Sequence, residues 1–166
     1  MERDLKNISR IARTTEYPMG ESCTAAYVEP CIIDGEKLIL KYAQHGWAYK
    51  NEKNAYLVLQ NEDFLPKLRY FDDKHSILAI TDVGRCVQWM RQDEVNTKDY
   101  EEQLVNIFNT MRDKYNLYHN EILTKNMCID KDDKIRLIDF DCCSREKRLG
   151  ADKHYEIIRS FFRKKN

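Results

Sequence analysis

The stretch His119-Asn120-Glu121-Ile122-Leu123-Thr124-Lys125-Asn126 carries a carboxylate and an amide, and Asp139 adds a second carboxylate just after Leu137-Ile138. Mg²⁺ prefers a few oxygen ligands together with phosphate oxygens, which makes Asn126 and Asp139 candidate metal ligands. Glu121 lies five residues ahead of Asn126 and is placed to face a substrate hydroxyl. Phosphoryl transfer uses such a set: metal ligands, a group that orients the nucleophile, and a cation for the phosphates. The candidate cation is Lys41, flanked by Ile39 and Leu40, with Glu52 as its partner and Glu62 as an alternative.

These groups need elements to hold them. Residues 127–129 and 135–138 are β-prone runs around the charged turn 130–134, a hairpin that separates Asn126 from Asp139. Ahead of them, Tyr100, Leu104, Ile107, Phe108, Met111 and Tyr115 are spaced mostly by three and four. That spacing predicts a helix over 99–118, capped by Thr97 or Asp99. A last helix from Asp152 is expected to bury Tyr155, Ile158 and Phe162. In the first half, residues 23–28 and 37–42 read as strands separated by Asp34-Gly35, with Lys41 on the second. Residues 47–59 read as a helix that Pro66 ends, and 68–71 and 76–81 as strands joined by Asp72-Asp73-Lys74. The order is that of an α+β fold with two lobes meeting near residues 81–84.

The catalytic loop of the protein kinase-like superfamily reads H-R-D-x-x-x-x-N, and its metal motif is D-F-G. This chain has His119-Asn120-Glu121-x-x-x-x-Asn126 and Asp139-Phe140-Asp141, and the hairpin between them matches without a gap. The chain thus resembles that superfamily over about residues 16–142. The resemblance implies ATP and Mg²⁺ as cofactors, with Lys41, held by Glu52, on the α- and β-phosphates. Gly20, 21 residues before Lys41, falls at the phosphate-covering loop, and Ile80 at the gatekeeper position. Thr81, Asp82 and Val83 fall at the hinge that contacts adenine through its backbone. Asn126 and Asp139 fall at the metal ligands, Glu121 at the group that orients the acceptor, and His119 at a structural support of the loop. The implied architecture is one minimal two-lobed domain over residues 1–166. Its N-lobe, 1–83, carries a five-stranded-type sheet, and its C-lobe, 84–166, is helical and reduced.

The departures from the family pattern are specific. Glu121 stands for the family aspartate, and its extra methylene moves the carboxylate by about 1.5 Å. Its alternative role is hydrogen bonding at a degenerate position. Asn120 stands for the arginine that commonly receives an activation-loop phosphate, which implies no regulation by that route. The phosphate loop keeps only Gly20, with Ala25 and Ala26 as small residues, and Asp141 replaces the glycine of D-F-G. No A-P-E follows Cys142, and there is no room for the family's helical substrate platform. In this the chain resembles truncated kinases of viruses and bacterial effectors, which implies the host cytoplasm and a partner protein that completes the surface. The expected activity is transfer of the ATP γ-phosphate to a protein Ser/Thr hydroxyl. The alternatives are a pseudokinase that binds and regulates a partner, and a small-molecule kinase.

Composition narrows the other classes. With 28 Lys+Arg against 28 Asp+Glu the net charge is zero, which argues against a nucleic-acid partner held by phosphate attraction. The clusters at 145–148 and 163–165 are read as solvated faces. No stretch approaches the length of uncharged apolar residues that a membrane span needs, and the charged start Met1-Glu2-Arg3-Asp4 is no secretory signal; a cytoplasmic location is expected. The six cysteines form no C-x-x-C pair, and the four histidines are isolated, so reduced thiols are expected, and no Cys/His metal site.

Overall fold

The structure, a computed structural model, describes residues 9–10, 26–95 and 99–163. It is α+β with two antiparallel sheets, and the chain divides into two compact units. One unit runs up to Gln60 and includes Pro66–Asp82; the other comprises Asn61–Leu65 and everything from Val83 onward.

The first unit holds β1 (Ser9–Arg10), β2 (Ala26–Ile33), β3 (Glu36–Ala43), α1 (Gly46–Val58), β4 (Leu68–Asp72) and β5 (Ile77–Thr81). The strands lie in the order β1-β2-β3-β5-β4, with the two-residue β1 at one edge. Asp34 and Gly35 both take positive φ, 51° and 80°, and join β2 to β3 by a two-residue turn. That backbone matches the right-handed twist of the paired strands. β2 runs on to Ile33, beyond the 23–28 stretch expected from sequence. It runs through Pro30, which stands opposite Ile39 of β3. The other end of that stretch, residues 23–25, lies outside the described residues. The strand alternation splits β3 into two faces. Leu38 and Leu40 join Cys31 and Ala79 in a core on one face, and Lys41 lies on the other.

α1 buries Ala48, Tyr49, Glu52, Ala55 and Tyr56, a stripe at helical spacing. It ends at Val58, well before Pro66, so the proline is not what stops it. Its anchor to the β4–β5 turn is polar. Lys53 Nζ lies 2.5 Å from Asp73 Oδ1, Tyr49 donates to the same oxygen at 2.6 Å, and the Lys53 ammonium sits 4.7 Å from the Phe71 ring centroid. The bonds from Lys53 and Tyr49 hold the Asp73 carboxyl below its ordinary pKa.

The second unit holds β6 (Arg85–Cys86), α2 (Gln92–Val95), α3 (Tyr100–Tyr115), β7 (Met127–Ile129), β8 (Ile135–Leu137) and α4 (Ala151–Phe162). β7 and β8 form the expected hairpin, and β6, which sequence does not suggest, pairs on its outer side. α3 stops three residues earlier than its apolar spacing implies. Asn116 takes φ 50° there, and its N–H closes back on the Arg112 carbonyl at 3.0 Å, a left-handed helix terminus. Asp99 stands at the other end, but its side chain makes no capping hydrogen bond; Thr97 lies outside the described residues. α4 packs on α3 through Tyr100 against Phe162 and an edge-on contact of Phe108 with Tyr155. Ile158 and Phe162 are buried and Tyr155 only partly, each fully buried apolar side chain contributing roughly 1.5–3 kcal/mol. Asn61–Leu65 is tied to this unit: Leu137 N–H donates to the Phe64 carbonyl at 2.7 Å, and Glu62 binds Lys114 and Tyr115. Among the described residues no helix is long and apolar enough to cross a membrane.

Candidate functional site

In the first unit, Lys41 of β3 meets Glu52 of α1. Lys41 Nζ lies 2.7 Å from Glu52 Oε2, with the side chains 9% and 1% exposed. Tyr56 donates to Glu52 Oε1 at 3.4 Å, and the Lys53–Asp73 anchor one residue along fixes the helix that carries the glutamate. Desolvating two such charges costs several kcal/mol apiece, so the pair persists only where the two groups compensate one another closely. Glu62, the other acidic candidate, lies outside α1 and is engaged by Lys114 and Tyr115. Ile80 is buried. Thr81 N–H is already given to the Lys67 carbonyl, and Asp82 forms an ion pair with Lys37 at 3.1 Å. Asp82 is the last residue of the first unit, and Val83 returns the chain to the second. Gly20 lies outside the described residues.

In the second unit the loop after α3 and the end of the hairpin are knotted together through Ile138. Its N–H donates to the Asn126 carbonyl at 3.0 Å, and its own carbonyl lies 2.9 Å from His119 Nε2. A carbonyl only accepts, so Nε2 carries the proton. His119 is 1% exposed, its ring 4.8 Å from that of Phe140. Asn126 is also buried, and its Nδ2 donates to the Glu121 carbonyl at 2.9 Å, which directs Oδ1 away from that carbonyl. Asp139 follows the knot with φ 66° and ψ 62°. Aspartate tolerates this left-handed region better than most residues, and Asp34, Ser76, Asn116, Asn120 and Asp133 share its positive φ. Asn126 and Asp139 thus offer an amide and a carboxylate oxygen, the hard donors that suit Mg²⁺.

Two features here are absent from the sequence reading. Glu121, Asp141 and Cys142 bring one potential ligand atom each within 4.8 Å of one another. Burial, with the charges of Asp141 and Glu121 beside it, pushes the Cys142 thiol up to about 11. The second feature is Asn120, 7% exposed and at φ 63°. Its Nδ2 lies within hydrogen-bond distance of Cys142 O (3.2 Å), Ser144 Oγ (2.9 Å) and Glu146 O (3.0 Å). Its Oδ1 accepts from Arg148 N–H at 2.9 Å. A neutral amide therefore clasps residues 142–148 to the loop. An asparagine beside a candidate catalytic residue was the only sequence signal for it.

No protein-family model matches the sequence, and no curated protein matches it.

Proposed function

We propose that the chain is an ATP-dependent phosphotransferase of the protein kinase-like superfamily, a minimal two-lobed kinase acting on protein Ser/Thr hydroxyls. The observation that carries this reading is the knot of Asn126, Ile138 and His119, which fastens Asn126 to the backbone that presents Asp139. The buried Lys41–Glu52 pair supports it independently. On this reading Asn126 and Asp139 hold Mg²⁺, which bound there neutralises charge on the phosphates. Lys41, oriented by Glu52, contacts the α- and β-phosphates, the backbone of Asp82 and Val83 receives adenine, and the Glu121 carboxylate orients the acceptor hydroxyl.

One observation favours a second reading. The Glu121 carboxylate lies close to Asp141 and Cys142, which suits a structural glutamate in a pseudokinase that binds a regulatory partner. Thermal shift with ATP and Mg²⁺ tests the common part of both kinase readings. Nucleotide at about 100 times its Kd stabilises by about 2.7 kcal/mol, and Asp139→Ala removes the Mg²⁺-dependent part. No shift at saturating nucleotide refutes the enzyme. If nucleotide binds, radiolabel transfer to generic protein substrates separates kinase from pseudokinase.

A further inference from the structure

Cys86 of β6 and Cys128 of β7 stand directly opposite each other across an antiparallel pair, next to the Arg85–Ile129 pair. Residues so placed project to the same face with Cα atoms about 4.5–5.5 Å apart. Disulfides span Cα separations of about 4.4–6.8 Å, so this register needs no backbone rearrangement to close one. Both cysteines are reduced, Cys86 partly exposed and Cys128 buried. The Cys86 sulfur also reaches the carbonyls of Thr124 (3.4 Å) and Lys125 (3.3 Å), the turn that leads into Asn126.

We infer that Cys86 and Cys128 form a dithiol redox site that closes to a disulfide on reaction with a small disulfide oxidant such as oxidised glutathione. The Cys86 thiolate attacks one sulfur of the oxidant, breaks its S–S bond and releases one glutathione thiolate. Cys128 then gives up its proton to solvent and attacks the Cys86 sulfur of the mixed disulfide, which releases the second glutathione. Two protein thiols are oxidised and one disulfide is reduced, so the electrons balance.

The order of attack follows from exposure and environment. Cys86 is the partner that solvent reaches, and the hydrogen bond from the Cys128 thiol holds its pKa below the ordinary value. Burial pushes Cys31 and Cys142 up to about 11 and Cys143 up to about 12, which leaves the adjacent Cys142-Cys143 pair unreactive. Closing the disulfide removes the S–H that reaches Thr124 and Lys125, and so loosens the turn ahead of Asn126. The inference rests on strand register and stands whether or not the chain binds nucleotide.

The test treats the full chain, folded, with excess oxidised glutathione, blocks remaining thiols by alkylation and maps linkages by mass spectrometry of an unreduced digest. The expected product is one intramolecular Cys86–Cys128 bond with the loss of two hydrogens, reversed by dithiothreitol. Cys128→Ser is expected to stop at a glutathione adduct on Cys86. Only glutathione adducts in the wild-type chain, a bond between other cysteines, or no oxidation overturns the site, and this wild-type map decides even if the serine variant fails to fold. Hydrogen exchange at the Asn126 amide, which donates to Leu123 O, is expected to speed about fivefold on oxidation. An unchanged rate overturns the link to the turn.

Discussion

Asn120→Asp changes one NH₂ to an oxygen and leaves the size of the side chain and its tolerance of a left-handed backbone nearly intact. In the wild-type chain Nδ2 shares its two hydrogens among three oxygens, while Oδ1 accepts from Arg148. Aspartate keeps the second contact and turns an acceptor toward acceptors. Two lost hydrogen bonds are worth about 2 kcal/mol, and a buried charge facing lone pairs adds about 1–3 kcal/mol, for a total of about 3–5 kcal/mol at neutral pH. The charged form is the one penalised, so the folded-state pKa of this aspartate rises above the unfolded value of about 3.9. The deficit is therefore full above the raised folded pKa and shrinks as pH falls through it, where the protonated carboxyl donates again. Hydrogen exchange at Ser144 and Tyr118, which bond each other across the bridge beside the clasp, reads the local effect. Their protection is expected to fall about a hundredfold or more at pH 7 and to recover in part on acidification. Protection equal to wild type at pH 7, or a loss that does not change with pH, refutes the clasp.

Three further outcomes follow from the geometry. Glu52→Ala leaves Lys41 buried without its partner and is expected to cost about 3–5 kcal/mol in urea unfolding; a loss below about 1 kcal/mol means the pair is solvated. Gly84→Ala would place a Cβ 2.3 Å from the Ile129 carbonyl oxygen at φ +100°, and a destabilisation above about 2 kcal/mol is expected by the same assay. Burial opposes ionisation of Asp130, but the N–H groups of Lys134 and Asp132 and the Arg136 guanidinium outweigh it and hold its carboxyl below the usual range. Its stabilisation is present above the unfolded pKa and lost as pH falls through the lower folded one. Asp130→Asn is thus expected to cost about 1 kcal/mol near neutrality and nothing in acid, as read by urea unfolding across pH.

The parts of the fold that were legible in the sequence are those with local causes. The Asp34-Gly35 turn, the 127–138 hairpin and the periodic face of α3 each follow from residues within a few positions of one another. β6 was not legible, because two residues carry no periodicity and its pairing with β7 joins positions about forty apart. The end of α3 was not legible either, because Tyr115 and Tyr118 continue the apolar spacing, while Asn116 closes the helix by a backbone conformation that spacing cannot express. At the candidate site, residue types and spacing pointed to Lys41, Glu52, Asn126 and Asp139. They did not reveal the roles of Asn120 or Cys86, whose partners become neighbours only once the strands and the 142–148 segment are laid down.

Asn61–Leu65 belongs to the second unit although the sequence around it builds the first. During synthesis Phe64 leaves the ribosome 73 residues ahead of Leu137, whose N–H will bond its carbonyl. At about 5–20 residues per second that is a wait of roughly 4–15 s. The first sheet's strands on either side of the excursion are complete long before, so they must close with Phe64 and Leu65 still lacking the neighbours that bury them. A nascent chain paused in that interval carries Phe64 and Leu65 before the segment that later bonds the Phe64 carbonyl has been made.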